Sequence, residues 1–351
     1  VESKGIYVHI PFCKRRCFYC HFVKQEYHKE TIDLYIRALL KELEMRAHRD
    51  NKIDTVYIGG GSPSLLTEKQ LSEIMDKVHN VFNVEKEAEC TAEMNPEDVT
   101  IEKLRFFKQS GINRISLGTQ SFIPEDIEYL KRTHTAGQSL DSVRKALENG
   151  FENINIDFIV SLPTQTLKTL ELNLDTLKRI PVPHVSAYLL EEVEEGEEKD
   201  ERDNVMYYFV KEKLESLGYE HYEVSNFAKR GYRSHHNLKY WYNEEYIGAG
   251  VSACGFEKGV DYKNAVSLDE YLKKIERGVL PVEEEETPDI ELRRIVMGLR
   301  LGEGIPRTCF VKYHEGLDFM LGNGLLIEKG GRISVHPEKM LLLNEILTYF
   351  G

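Results

Sequence analysis

Short apolar runs alternate with amphipathic stretches along most of the chain. GIYVHI, KIDTVYI, ECTAEM, NRISLG, NINIDFIV and HVSAYLL are rich in β-branched and apolar residues, and each predicts a strand. After them come KETIDLYIRALLKELEMRAH, TEKQLSEIMDKVHNVF, TIEKLRFFKQSG, SLDSVRKALENG, TLKTLELNLDTLKRI and ERDNVMYYFVKEKLESLG, where apolar residues recur at helical spacing. Six strand–helix units in succession predict a parallel sheet covered by helices. Polar and glycine residues gather where the strands end: Gly59, Gly60 and Gly61 after the second, Glu93 and Asn95 at the third, Gln120 after the fourth, with Asp157 inside the fifth. Chemistry in α/β sheets and barrels collects at the C-terminal strand ends. The pattern predicts an α/β fold, a partial TIM-like (β/α)6 barrel with these residues on its top face. A doubly wound sheet is the alternative.

From about residue 250 the alternation weakens. PDIELRRIVMGLR predicts a helix, GLLIEKGGRISVH two strands around a Gly-Gly turn, and PEKMLLLNEILTYF a final helix. That order resembles a winged-helix module. The chain divides into residues 1–225, the barrel; 226–285, a connecting segment; and 286–351, a helical, winged-helix-like C-terminal domain. EEVEEGEEKDER, residues 191–202, reads as a solvated loop leading into a helix.

Composition narrows the function. The 351 residues carry a net charge of -13, with 41% hydrophobic and 30% charged residues. Such a balance gives no general attraction for nucleic acid or anionic lipid, so the C-terminal module is expected to pack or cover rather than bind DNA. The opening VESKGIYVHIPF lacks a basic region followed by a long apolar stretch, and no run approaches the roughly 18 apolar residues of a membrane span. A cytoplasmic protein that is not integral to a membrane is expected. Of six cysteines, Cys90, Cys254 and Cys309 are scattered and read as plain thiols, whereas Cys13, Cys17 and Cys20 are clustered.

The cluster is spaced C-x3-C-x2-C within HIPFCKRRCFYCHF. Structural zinc normally takes four protein ligands, and a redox dithiol leaves Cys13 idle. Three thiolates holding a cubane iron–sulfur cluster leave one iron open to an exchangeable ligand. His21 could be offered as a fourth ligand, but it adjoins Cys20, and adjacent side chains diverge. Lys14, Arg15 and Arg16 would ease reduction of an anionic cluster, or form a merely solvated basic turn. Phe12, Phe18, Tyr19 and Phe22 would shield it. In YIGGGSPSLL the glycines let backbone approach a ligand closely, and no Lys-Ser/Thr follows to make a phosphate loop.

C-x3-C-x2-C just after a first strand resembles the signature of radical S-adenosylmethionine (radical SAM) proteins. YVHIPFC with C-x-Y-C-x-F resembles the branch that holds the oxygen-independent coproporphyrinogen III oxidases and related heme chaperones, and the resemblance covers nearly the whole chain. It implies a radical SAM partial barrel with a 4Fe–4S cluster on Cys13, Cys17 and Cys20. The open iron would chelate S-adenosyl-L-methionine. One electron, from a donor such as a flavodoxin or ferredoxin, would release a 5′-deoxyadenosyl radical. The resemblance further places Gly60, Gly61 and Ser62 at the methionine end and Arg132 facing the methionine carboxylate. Glu93 falls on the cofactor, Gln120 and Asp157 on the ribose, Tyr7 on the cofactor side, and the backbone around Tyr19 near the adenine. His134 is a weaker candidate. Ser161 stands where the family usually has the glycine of a Gly-Leu-Pro turn.

Two features separate the chaperones from the oxidases. The oxidases carry a further cysteine two residues beyond the third, where this chain has Phe22. They also have a substantial segment before the first strand, whereas Tyr7 here lies only six residues before Cys13. RSHHNLKYW, residues 233–241, resembles an H-N-x-x-Y-W motif typical of the chaperones, with His236, Asn237, Tyr240 and Trp241 in the matching places. Imidazole ligates heme iron and aromatic rings stack on porphyrin, which makes His236, or adjacent His235, the candidate heme ligand. A structural turn joining the barrel to the C-terminal domain is the alternative. YEVSNFAKRGY and YIGAGVSACGF resemble family segments beside the active site, where Gly248, Gly250 and Gly255 would allow a tight chain path. The implied function is a heme chaperone that binds the cluster, S-adenosylmethionine and heme, and delivers heme to a recipient hemoprotein, such as a membrane-associated respiratory protein. The alternatives are a coproporphyrinogen III oxidase, forming protoporphyrinogen IX by radical decarboxylation, and another radical SAM enzyme such as a methyltransferase. A DNA-associated regulator is disfavoured by the low positive charge.

Overall fold

The computed structural model describes residues 3–15, 17–20, 23–47, 52–190 and 197–351. Arg16, His21 and Phe22, and residues 191–196 of the acidic run, lie outside the described residues. Six strands follow the expected runs: β1 (Lys4–Ile10), β2 (Lys52–Gly60), β3 (Asn83–Met94), β4 (Arg114–Gln120), β5 (Asn153–Val160) and β6 (His184–Leu189). Each pairs in parallel with the next. The helices after them are α1 (Lys29–Met45), α2 (Glu68–Val81), α3 (Ile101–Gln109), α4 (Ala136–Glu148), α5 (Leu167–Asp175) and α6 (Glu197–Ser216). Threonine starts four of them. The side chains of Thr67, Thr100, Thr135 and Thr166 accept from the backbone of the first turn of α2, α3, α4 and α5, satisfying donors that have no partner inside the helix.

The remaining strands are β7 (Glu220–Glu223), β8 (Asn226–Ala228), β9 (Tyr246–Ala249), β10 (Cys254–Glu257), β11 (Val260–Asn264) and β12 (Val282–Glu286). The sheet runs β12-β11-β10-β9-β1-β2-β3-β4-β5-β6-β8-β7 and does not close on itself. It is a partial barrel. β9 pairs in parallel with β1 and makes a seventh parallel strand beyond the expected six. Segment 226–285, expected to connect, thus supplies strands to the main sheet. Between β1 and β10, Ile247, Gly248 and Ala249 are buried and Tyr246 is half-buried.

A buried carboxylate ties α1 to this late segment. Glu42 is fully buried and accepts from Arg46 Nε (2.8 Å), Asn264 Nδ2 (2.8 Å), Tyr271 Oη (2.7 Å) and the Gly250 amide (2.8 Å). Arg46 also donates to Asn264 Oδ1 and lies over the Tyr262 ring. With every lone pair answered, the charge is tolerated, and it fixes where the chain returns to the sheet.

The C-terminal residues build a second apolar cluster, including Ile295, Phe310, Met320, Ile333 and Ile346, joined to the barrel helices through Tyr207 of α6. A helix (Ile290–Gly298), a hairpin (Leu326–Lys329 with Arg332–Val335) and a helix (Leu343–Leu347) occur in the expected order. The last helix is shorter than its sequence pattern, because a 3-10 turn (Met340–Leu342) precedes it. No helix among the described residues is long and apolar enough to cross a membrane.

Removing the Glu42 carboxylate would leave Arg46 buried and unpaired. Glu42→Ala is expected to cost about 3–5 kcal/mol of stability, measured by denaturant unfolding.

Candidate functional site

A cavity of about 810 Å³ is lined by the three clustered cysteines, the ends of β2 to β5 and the inward side chains below them. Inward residues alternate along each strand. On β4 they are Arg114, Ser116, Gly118 and Gln120; on β5, Asn155 and Asp157; on β6, Ser186 and Tyr188. A sheet interior would ordinarily be apolar. This one carries polar side chains at successive inward positions, with Met94, Ile159 and Leu190 among the apolar residues beside them, the mixture a ligand site uses.

The cysteine loop is pinned from three sides. Lys24 Nζ donates to the carbonyls of Cys17 (3.1 Å) and Cys20 (2.6 Å). Arg132 reaches Cys17 Sγ at 3.4 Å with Nη1 and donates to Asn95 Oδ1 at 2.6 Å with Nη2. Asn95 in turn donates to Ser62 Oγ (3.0 Å), which lies 3.9 Å from Cys13 Sγ. Arg132, Asn95 and Ser62 therefore form one strap between two of the thiols. Lys14, expected to act on the cluster, is ion-paired with Asp98 at 2.8 Å instead. Besides Arg132, Lys24 is held against the loop, a cation that sequence spacing gave no reason to single out.

Gly60 and Gly61 are required by space. Gly60 has φ of 112°, and a Cβ there would sit 2.5 Å from His9 Cε1. A Cβ on Gly61 would meet the Phe12 carbonyl at 2.6 Å and Cys13 Sγ at 2.9 Å. The glycine turn thus nests directly against the cysteine loop. These residues fit an iron–sulfur cluster: three thiols on one cavity wall, a backbone cradle beside them, and a guanidinium whose Nε is buried without a partner. Among the described residues no three such side chains converge on one metal ion, and a cubane does not ask them to, since each thiolate binds a different iron.

Below the cradle lie two carboxylates. Glu93 accepts from Tyr57 Oη (2.9 Å) and from the Gly60 amide (3.0 Å). Burial, then repulsion from Asp157, pushes Glu93 up to about 7. Burial likewise raises Asp157 to about 6, against the hydrogen bonds it accepts, among them Asn155 Nδ2 at 2.8 Å. Gln120 closes β4 past a bulge, with φ of 65°. Its amide makes no hydrogen bond among the described residues and faces the cavity. Ser161 has φ of 68°, in the region that glycine occupies without strain, and its Oγ accepts from Arg202 Nε. The family glycine is thus replaced at a position whose backbone suits glycine.

Tyr19 lines the cavity beside the cysteines, but Tyr7 and His236 stand behind its wall. Tyr7 Oη bonds His9 Nδ1 at 2.9 Å. His134 is buried, with its ring nitrogens on Thr119 O and Glu97. The H-N-x-x-Y-W segment forms α7 (His235–Trp241). Glu89 accepts the backbone N–H groups of His235 and His236 at its N-terminus. His236 is 1% exposed, with Nδ1 on Thr55 Oγ1 and Nε2 on Tyr240 Oη, both at 2.8 Å. Neither ring nitrogen is free for iron, and burial lowers its pKa to about 3. Its ring stacks on Tyr57, the donor to Glu93. Asn237 faces the cavity, while Trp241 lies under Arg300 of the C-terminal part. The motif is therefore a helix between cavity and C-terminal residues. His235 alone of its two histidines is exposed.

Sequence reasoning passed over Arg114, Tyr57 and Lys24 as site residues, and named Asn237 only as part of the H-N-x-x-Y-W motif. The periodicity of β4 could have found Arg114, which shares a face with Gln120.

The radical SAM superfamily pattern matches residues 7–177. The chain is similar along its length to proteins named heme chaperone HemW. It is 35% identical to that of Bacillus subtilis, covering 99% of each chain. It is 35% identical to that of Lactococcus lactis, covering 99% of this chain and 97% of the relative. The Escherichia coli relative is 29% identical with the same coverage. Among solved structures, coproporphyrinogen III oxidase (HemN) from Escherichia coli, a radical SAM enzyme, superposes with a TM-score of 0.85 at 21% identity, covering 99% of this chain and 90% of that one. At this identity the likeness speaks for the fold.

Two outcomes check this geometry. Glu93→Gln keeps both contacts, accepting from Gly60 and donating to Tyr57 Oη. Because the Glu93 carboxyl is raised from 4.5 to about 7, its ionisation opposes folding. The cost is absent below 4.5, grows as pH rises, and is complete above about 7. The variant is expected to melt higher than the wild type at about pH 8, by an amount that vanishes toward the ordinary carboxylate range. Gly61→Ala is expected to retain the fold by circular dichroism but to hold less iron and sulfide per chain after anaerobic reconstitution.

Proposed function

Because the chain belongs to the heme chaperone family within the radical SAM superfamily, we propose that it binds a 4Fe–4S cluster, S-adenosylmethionine and heme, and hands heme to a recipient hemoprotein. The observation that carries this reading is full-length similarity to proteins named heme chaperones, at up to 35% identity. Phe22 supports it, standing in sequence where the oxidases carry their additional cysteine.

Cys13, Cys17 and Cys20 would hold the cluster, which when bound supplies one electron to the cofactor sulfonium. Gly60, Gly61 and Ser62 take the methionine end, and their backbone already borders Cys13. Arg132 is assigned to the methionine carboxylate, supported by its unpartnered Nε beside Cys17. Glu93, Gln120 and Asp157 accept or donate along the ribose and ammonium side, and Tyr19 covers the adenine. Tyr7 acts through His9 and the wall behind the cradle rather than by contact. Heme ligation moves from His236 to His235, whose ring is exposed and makes no hydrogen bond among the described residues. The reduction partner is a small one-electron carrier of the flavodoxin or ferredoxin type. The recipient is a hemoprotein such as a membrane-associated respiratory protein, served from the cytoplasm. Residues 286–351 act as a packed module beside the site.

The reconstituted protein is expected to bind heme tightly and to leave coproporphyrinogen III unchanged when reductant and S-adenosylmethionine are supplied. Robust release of carbon dioxide and protoporphyrinogen IX would favour the oxidase. His235→Ala is expected to shift the heme absorption spectrum and weaken binding. His236→Ala is expected to destabilise the fold by about 1–3 kcal/mol through lost buried hydrogen bonding, read as a lower melting temperature, without changing the spectrum of heme bound to the folded fraction.

A further inference from the structure

Arg114, the first residue of β4, heads the large side chains that are fully buried, at 2% exposure. It lines the cavity, yet its guanidinium forms no hydrogen bond or ion pair with any described residue, and its Nε is buried without a partner. An arginine stays charged at any pH the protein meets. A buried charge left unanswered is strongly disfavoured, so something must answer this one through space.

The register says what does. Arg114 pairs with Thr91 on β3 and with Asn153 on β5. Glu93 is the next inward residue above Thr91, and Asp157 is two inward positions above Asn153. Arg114 thus stands on the floor beneath both carboxylates, and its attraction lowers both against burial and mutual repulsion. Apart from Arg132, whose guanidinium is held by Asn95 and Cys17, the other groups considered around the pair carry no positive charge. Tyr57 and Tyr7 are phenols that burial keeps protonated, and Tyr188 is a neutral phenol open to the cavity. Ser116, Asn155 and Ser186 are neutral donors. His184 and His236 are kept neutral by burial, and each has both ring nitrogens bonded.

We propose that Arg114 is a positioning residue that keeps Glu93 and Asp157 ionised together without touching either, so that both enter binding as acceptors for S-adenosylmethionine. A direct ion pair would consume the lone pairs of one carboxylate. A cation one layer below supplies the charge and leaves those lone pairs for hydroxyl and ammonium hydrogens of the ligand. The sulfonium cofactor then completes the balance of two negative charges against one positive.

The inference rests on the cofactor reading above. It is tested by measuring S-adenosylmethionine affinity of the anaerobically reconstituted full chain, by equilibrium dialysis between about pH 6 and 9, for wild type, Arg114→Gln and Arg114→Lys. Wild-type affinity is expected to hold above about pH 7 and fall below it, as Glu93 and then Asp157 protonate. Arg114→Gln is expected to bind about tenfold or more weakly near pH 7, one pKa unit being a factor of ten, and to recover most of that loss by about pH 9. Arg114→Lys, still a cation, keeps the wild-type profile. Loss by the same factor at every pH, or no loss, would overturn the proposal while the cofactor reading stands. Absence of binding by wild type at every pH sinks the cofactor reading and the proposal with it. If Arg114→Gln does not fold, the double variant Arg114→Gln/Glu93→Gln, which removes one anion with the cation, is expected to restore a cooperative melt. An unfolded double variant would count against the proposal.

Discussion

Two carboxylates enclosed on the inner face of a parallel sheet set the terms for the rest of this molecule. Glu93 and Asp157 are neighbours across two strands, and burying both is unfavourable unless donors and a cation are supplied from every direction. Tyr57, the Gly60 amide, Asn155, Ser116 and Ser186 supply the donors, and Arg114 supplies the charge. Each of these comes from a strand in register with the carboxylates. These side chains answer one another on the cavity wall, beside apolar residues such as Met94 and Ile159.

The same carboxylate reaches the cluster loop. Glu93 fixes the amide of Gly60, and Gly60 and Gly61 lie against His9, Phe12 and Cys13. The strap of Arg132, Asn95 and Ser62 approaches the loop from the other side. Cys13 and Cys17 are thus positioned by backbone and by a hydrogen-bonded chain rooted in the sheet. A loop held this way can present these sulfurs before any cluster is bound.

On the opposite side, α7 gives the H-N-x-x-Y-W segment a physical role. His236 binds Thr55 and stacks on Tyr57, Asn237 faces the cavity, and Trp241 meets Arg300. One short helix therefore touches the donor of Glu93 and the C-terminal part of the chain.

Much of this was legible in the sequence. The six strand–helix units follow from hydrophobic period and threonine caps, which are local. The cluster follows from three cysteines in one turn, and the cradle from three glycines in succession. Glu93, Gln120 and Asp157 were legible because they lie at or near strand ends. Other features depend on register and on distant contacts, which no local pattern encodes. Tyr246–Ala249 became a seventh parallel strand only because β1 had a free edge and Glu42 anchored the returning chain at Gly250. His236 looked like an open ligand, but tertiary packing assigned both its nitrogens to Thr55 and Tyr240. Arg114 took its place only through pairing with Thr91 and Asn153, which sets it beneath two carboxylates. The sequence by itself determined the kind of chemistry, because spacing within a loop fixes which ligands can share a cluster. Only the folded sheet decided which charges face one another, because electrostatic partners in a barrel are neighbours across strands that lie far apart in sequence.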